Sequence, residues 1–201
     1  MSQIVLMVPR QENLTEAAIK SAVLQAQKAE DAATVFTTLP WVPGECELDD
    51  FKFMMMATNV TWSTEVESAL STDGRRTVHM PRVSAVTITR KVDLGSGRLT
   101  KAALQTKVST SPWEIYFLRS IGGADTSAPD QRGVMQVKFM TMKLYNALIT
   151  KCSFSAGDGD AEETLEVSPV AIEWIYHRTS DGQDILGKKV VKYNVQTGTY
   201  A

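Results

Sequence analysis

The sequence predicts a mainly β protein: a compact antiparallel barrel of two packed sheets, with one short helix in its middle and an extra helix near its start. Three observations carry this. Short runs rich in β-branched and aromatic residues follow one another from residue 33 onward, separated by Gly, Pro and Asp turn signals. Between Val83 and Leu104 the hydrophobic period changes from two to the helical spacing. Hydrophobic residues make up 43% and charged ones 22% of the 201 residues, the composition of one globular domain with a full core.

In chain order, Ile4 to Val8 reads as a short strand. Asn13 to Ala29 places Leu14, Ala17, Ala18, Ala22, Val23 and Ala26 on one helical face, and Asn13 with Glu16 forms a capping box. An alanine face buries little area, so this helix is expected on the periphery. Residues 1–32 are thus read as an N-terminal extension and 33–201 as the β domain. Thr34 to Trp41 is a strand ended by the Pro43-Gly44 turn, and Phe51 to Trp62 is a second, longer one. Its consecutive methionines, Met54, Met55 and Met56, read as gap-filling core side chains.

Ser63 to Pro81 is polar, without sustained period, and too long for an ordinary connection, so it reads as a long loop or protruding hairpin, with Val66, Leu70, Val78 and Met80 as apolar anchors. Then comes the change of period. Val86 and Ile88 face one way and Thr87, Thr89 and Lys91 the other, after which Leu99, Ala102 and Ala103 recur as a helix, with Ser96 placed to cap it after Gly95. Further strands are expected at Trp113 to Ser120, Val134 to Tyr145, Ala147 to Phe154, Glu163 to His177 and Val190 to Val195.

The chemistry of the chain is sparse. Acid–base catalysis near neutral pH usually recruits histidine, and only His79 and His177 are available, neither in a metal-binding spacing. No nucleophile elbow, phosphate loop or dinucleotide fingerprint occurs. Asp158, Asp160 and Glu162 alternate as calcium ligands can, but their Gly-Asp run is what a hairpin turn requires. Cys46 and Cys152 lack any Cys-x-x-Cys partner and read as two buried thiols. The tryptophans 41, 62, 113 and 174 read as core anchors whose indole N–H groups find acceptors. No catalytic residue, cofactor or metal is therefore expected. A net charge of -2 argues against nucleic acid as a partner. The apolar run from Ile4 to Val8 is too short for a Sec signal, and no run is long enough to span a membrane, so the chain is expected to be made and folded in the cytosol, without membrane insertion.

The segment VTITRKVDLGSGRLTKAAL, with Lys91-Val92-Asp93 leading from strand to helix, resembles the corresponding strand and single helix of haemolysin-coregulated protein, Hcp, the tube subunit of bacterial type VI secretion. WEIYFLRSIGG from Trp113 to Gly123 is similar to the family's next strand and glycine turn, Met135 to Phe154 to its strand pair, and ETLEVSPVAIEWIY from Glu163 to Tyr176 to its closing strand. Pro43-Gly44-Glu45-Cys46 also resembles a family turn. The order of these motifs, spread over Ala33 to Val195, is more specific than any one of them.

The resemblance implies a compact β-barrel with one helix, hexameric rings, and a stack of rings forming a hollow, non-catalytic conduit that carries effector proteins. It implies contacts with sheath and spike proteins and export from the bacterial cytoplasm without a Sec signal. The family's extended loop contacts neighbouring subunits, which makes Glu65, Glu67, Arg75, Arg76 and His79 the candidate subunit-interface residues. Related readings are a phage or other contractile-injection tail-tube protein and, from a different class, a small β-barrel enzyme or ligand-binding protein.

Overall fold

The computed structural model describes residues 3–9, 21, 41–48, 51–122, 134–179 and 185–200. The helix expected over Asn13 to Ala29 lies outside them, Ser21 apart, as does the strand expected over Thr34 to Trp41, Trp41 apart.

Strand β1 (Gln3–Val8) pairs antiparallel with β2 (Met55–Ala57) on one side and β9 (Trp113–Gly122) on the other. Beyond β9 lie β10 (Val134–Tyr145), β13 (Ala171–Thr179), β14 (Ile185–Asn194) and β15 (Thr199–Tyr200), completing a seven-stranded sheet. The second sheet has four strands in the order β11 (Leu148–Ser155), β12 (Glu162–Ser168), β8 (Val86–Lys91) and β3 (Asn59–Thr61). The two packed sheets expected of the barrel are present and share a core, and among the described residues neither sheet closes on itself.

Alternation explains that core. On β1, Val5 and Met7 point between the sheets, where they meet Ile115 and Phe117 of β9, Met142 and Leu144 of β10, and Val86 and Ile88 of β8. Leu6 and Val8 point to the opposite face, where Trp41, Cys46, Phe51, Met54, Tyr116 and Leu118 form a smaller second cluster. β1 is therefore buried on both faces, which is why its sequence is a continuous apolar run. Met54 and Met55 serve the two clusters separately, while Met56 is half exposed.

Two expected strands are each broken. Phe51 to Trp62 turns through a left-handed Phe53 (φ 63°) before β2, then leaves the large sheet at Thr58 and enters the small one as β3. The break is fixed by the Thr89 carbonyl, which accepts from both Thr58 N (2.8 Å) and Thr58 Oγ1 (3.0 Å). Glu163 to His177 is interrupted at Pro169, which has no N–H to give a ladder, and continues as β13 in the other sheet. At a third crossing, Asn146 adopts φ 48° between β10 and β11. These corners join the sheets and are invisible to a test of period alone.

The helix α1 (Ser96–Leu104) starts after Gly95, which is its N-cap and carries no side-chain cap bond. The expected capping role of Ser96 is thus corrected: its hydroxyl is engaged elsewhere, as described below. Leu99 is fully buried, worth about 1.5–3 kcal/mol for a side chain of its size, and Ala102 and Ala103 pack against the same core. Gly95 is required by space, because a Cβ there would lie 2.4 Å from the Pro43 carbonyl oxygen and 2.3 Å from Met55 Cε. The Pro43-Gly44 turn and the strand-to-helix junction are thereby pressed together through Met55.

Candidate functional site

The segment between β3 and β8 is a protruding two-stranded arm. β4 (Thr64–Glu65) pairs with β7 (Arg82–Val83), and β5 (Ser68–Leu70) pairs with β6 (Arg76–Val78). Its tip is a turn in which Gly74 takes φ 76° and the Ser71 N–H donates to the Arg75 carbonyl at 2.8 Å. The His79 N–H donates to the Glu67 carbonyl (2.8 Å), bridging the two ribbon segments. Each strand is short, so the arm is held more by turn hydrogen bonds than by long ladders.

The candidate residues Glu65, Glu67, Arg75, Arg76 and His79 all lie on this arm and all are exposed. Glu67 pairs with Arg82 at 3.5 Å, a solvent-facing contact of small energetic weight. Arg82 is a further charged residue of the arm, one position beyond the expected loop. Of the four expected apolar anchors, Val66, Leu70 and Val78 are 51%, 71% and 59% exposed, whereas Met80, though 56% exposed, packs on Gly198 at the root of the arm. Three large apolar side chains exposed on one narrow ribbon form a surface that gains by meeting another surface.

The root of the arm is held firmly. The Tyr193 hydroxyl donates to the Pro81 carbonyl at 2.6 Å, and Met80 packs so closely on Gly198 that no Cβ fits there. Both contacts come from the β14–β15 region, on the last strands of the large sheet. The arm thus projects at an angle set by residues remote in sequence.

At the other end of β8 the Lys91-Val92-Asp93 junction is built around a side chain that the alternation of β8 turns inward. Arg90 is 1% exposed; its guanidinium pairs with Glu163 of β12 and with Asp93. Ser96 Oγ donates to Glu163 (3.0 Å) and accepts from the Asp93 N–H (3.1 Å), while Asp93 Oδ1 accepts from the Gly95 N–H (2.8 Å). This cluster ties strand, turn and helix start together. The signal for it was Arg90 falling in step with Val86 and Ile88.

Lys91 and Asp160 form a surface pair; their mutual hydrogen bond holds Lys91 above and Asp160 below its ordinary pKa. Glu162 stands opposite Lys91 in the ladder, so the acidic turn after β11 faces a lysine. His177 Nε2 lies 3.1 Å from Thr141 Oγ1; burial, then Lys138 and Lys188, lower its pKa. Burial raises the Cys46 thiol, which is free, and Cys152 is free and only half buried, correcting the expectation of two buried thiols. Trp41 Nε1 donates to the Phe53 carbonyl (3.2 Å), whereas the buried Trp174 Nε1 has no acceptor among the described residues, against the expectation for the tryptophans. Among those residues, no group of His, Cys, Asp and Glu has the arrangement of a metal site, and no helix is long and apolar enough to cross a membrane.

Comparison with known proteins bears on the same elements. Residues 28–176 match the family model described as type VI secretion system effector, Hcp. The fold is similar to Hcp1 of E. coli EAEC 042 in a mutant form (14% identity, 96% of this chain and 98% of that one, TM-score 0.63). It is also similar to Hcp1 of Salmonella typhimurium (13% identity, 100% of both chains, TM-score 0.62) and to a type six secretion system protein (15%, 100% of both, 0.67). At these identities the likeness is one of fold. No curated protein matches the chain.

Proposed function

The chain belongs to the Hcp family of type VI secretion system proteins, and from that premise we propose that it is the tube's structural subunit, forming hexameric rings that stack into a hollow conduit for effectors. The reading makes its partners other copies of itself, the sheath and spike of the secretion machine, and cargo in the lumen. It places the chain first in the bacterial cytoplasm and then outside the cell. No catalysis is assigned to it.

The observation that carries this reading is the arm. A ring needs a heterologous contact, in which one patch of each subunit meets a different patch of the next. The arm supplies an exposed apolar and charged projection with a fixed root, and the two open sheets leave strand edges beside it.

The test is assembly of the purified chain. Sedimentation velocity should give a hexamer, and negative-stain images should show six-fold rings with an open centre, stacking as concentration rises. A chain that stays monomeric at every accessible concentration would sink the proposal.

A further inference from the structure

Trp174 and Tyr193 belong to the shared core, and on their open side they floor a groove of about 230 Å³ at the root of the arm. Trp62, Tyr176 and Tyr200 stand around them, and Pro81 is part of the wall. Tyr176 and Tyr200 are 47% and 70% exposed at the rim, and the rings of Tyr193 and Tyr200 lean together at 5.2 Å. Aromatic rings are large apolar surfaces, and a concave group of them left open to water is stabilised by whatever covers it.

The chemistry of the lining selects what that is. Its side chains offer rings, hydroxyls and apolar surface, and none carries a carboxylate or an amide. An ordinary peptide segment laid there buries backbone N–H groups with few acceptors to meet them, whereas proline has no N–H to bury and keeps its carbonyl acceptor. The groove already treats one proline in this way: Pro81 lines it, and the Pro81 carbonyl accepts from the Tyr193 hydroxyl at 2.6 Å. The phenols of Tyr176 and Tyr200 at the rim are donors of the same kind. Proline-rich segments hold the polyproline II form before they bind, so little ordering entropy is lost when they lie against such rings.

Charge narrows the ligand further. Lys189 stands opposite Tyr176 in the β13–β14 ladder, hence on the same face, and Arg178 follows Tyr176 on that face; both are exposed. With basic residues beside the rim and no acidic one in the lining, acidic residues next to the prolines are favoured. The ligand is foreign to this chain: among its seven prolines the only P-x-x-P spacing is Pro40 to Pro43, and Trp41, Val42 and Pro43 are buried.

We propose that this groove binds a proline-rich segment of another protein, in polyproline II conformation and flanked by acidic residues. The prolines stack on Trp62, Tyr176 and Tyr200, the rim phenols donate to the carbonyls between them, and Lys189 and Arg178 meet the acidic flank. The inference goes beyond the reading of the chain as a tube subunit and does not depend on it, because all the lining residues belong to one copy.

The probes are synthetic: an oligoproline flanked on both sides by glutamates, the same oligoproline flanked by lysines, and an oligoalanine flanked by glutamates. Each is titrated into the full chain and followed by tryptophan fluorescence and calorimetry. The glutamate-flanked oligoproline should saturate, the lysine-flanked one should bind about fivefold more weakly, the weight of an exposed charge pair, and the oligoalanine should not saturate in the same range. Tyr176→Ala and Tyr200→Ala, both at exposed positions, should each raise the Kd of the first probe about tenfold, as truncation of an aromatic anchor does, with the urea midpoint unchanged. Lys189→Glu leaves the rings in place and should reverse the preference between the two flanks. Absence of saturable binding by the oligoproline with either flank overturns the inference. So does an oligoalanine that binds as well as the oligoproline, or an affinity unmoved by both tyrosine substitutions. None of these results bears on whether the chain forms rings.

Discussion

Arg90 and Glu163 face each other across β8 and β12 with both side chains withdrawn from water, 1% and 2% exposed. The guanidinium Nη1 donates to Glu163 Oε1 while Nη2 meets Asp93, so one cation is shared by two carboxylates at the point where strand becomes helix. Burying an ion is expensive, and the arrangement is tolerable only because both Nη atoms of Arg90 meet a carboxylate, although its Nε has no partner among the described residues. Removing one member therefore costs more than the pair contributes.

Replacement of Arg90 by Ala should lower stability by about 3–5 kcal/mol, since Glu163 and Asp93 are left as buried charges without a partner. Glu163→Gln should cost less, because the amide still accepts from Ser96 and Arg90. Urea unfolding of the three proteins checks the order. Equal midpoints for wild type and Arg90→Ala would contradict it.

Gly95→Ala tests the junction from the side of space. The new methyl meets the Pro43 carbonyl oxygen as well as the tip of Met55. Met55 can move, but the backbone of the turn cannot move without shifting β2. Overpacking of this kind costs about 1–3 kcal/mol, whereas Gly97→Ala, with open space around it, should stabilise the helix slightly. Thermal denaturation of the two variants should therefore move in opposite directions.

His177 gives a pH dependence of known sign. Burial, with Lys138 and Lys188 pushing the same way, holds its folded pKa below the ordinary value. As pH falls past about 6.5 the unfolded chain takes up the proton first, so stability from the neutral imidazole is complete above that pH and is lost below it. His177→Gln should flatten the decline between neutral and mildly acid pH, measured as urea midpoints. A wild-type protein no steeper than the variant over this window would remove His177 from the account.

Deleting Ser68 to Thr77 should leave the monomer folded, because the tip ribbon contributes no buried side chain. The change in unfolding free energy should stay within about 1 kcal/mol, as for other surface alterations. Rings and stacks should be lost in images taken under conditions where the wild type forms them. Unaltered particles would show that the tip plays no part in assembly.

The fold was legible wherever period and burial agree. β10 lies where the run from Val134 to Tyr145 predicts it, and β8 with α1 follows the change of spacing after Lys91. The corners were not legible, because a strand that changes sheet at Thr58 or Pro169 keeps its alternation on both sides of the break. Arg90 was hidden by its charge, although its place in the alternation with Val86 and Ile88 points inward. The arm lies where the polar stretch predicts it, and Met80 anchors its root, but Val66, Leu70 and Val78 face solvent, because period alone does not say on which side of a ribbon an apolar residue lies. That Trp62 and Tyr200 line one cavity needed the three-dimensional structure, since only sheet topology brings them to the same place.

The hydrogen bond from Tyr193 to Pro81 joins residues 112 positions apart. During synthesis the arm emerges long before the strands that fix its root. A nascent chain thus cannot present a correctly aimed arm until β14 and β15 have folded against it. On the proposed assembly, subunits would thereby be kept from coupling while half made, because the aim of the arm is set by β14 and the turn that follows it.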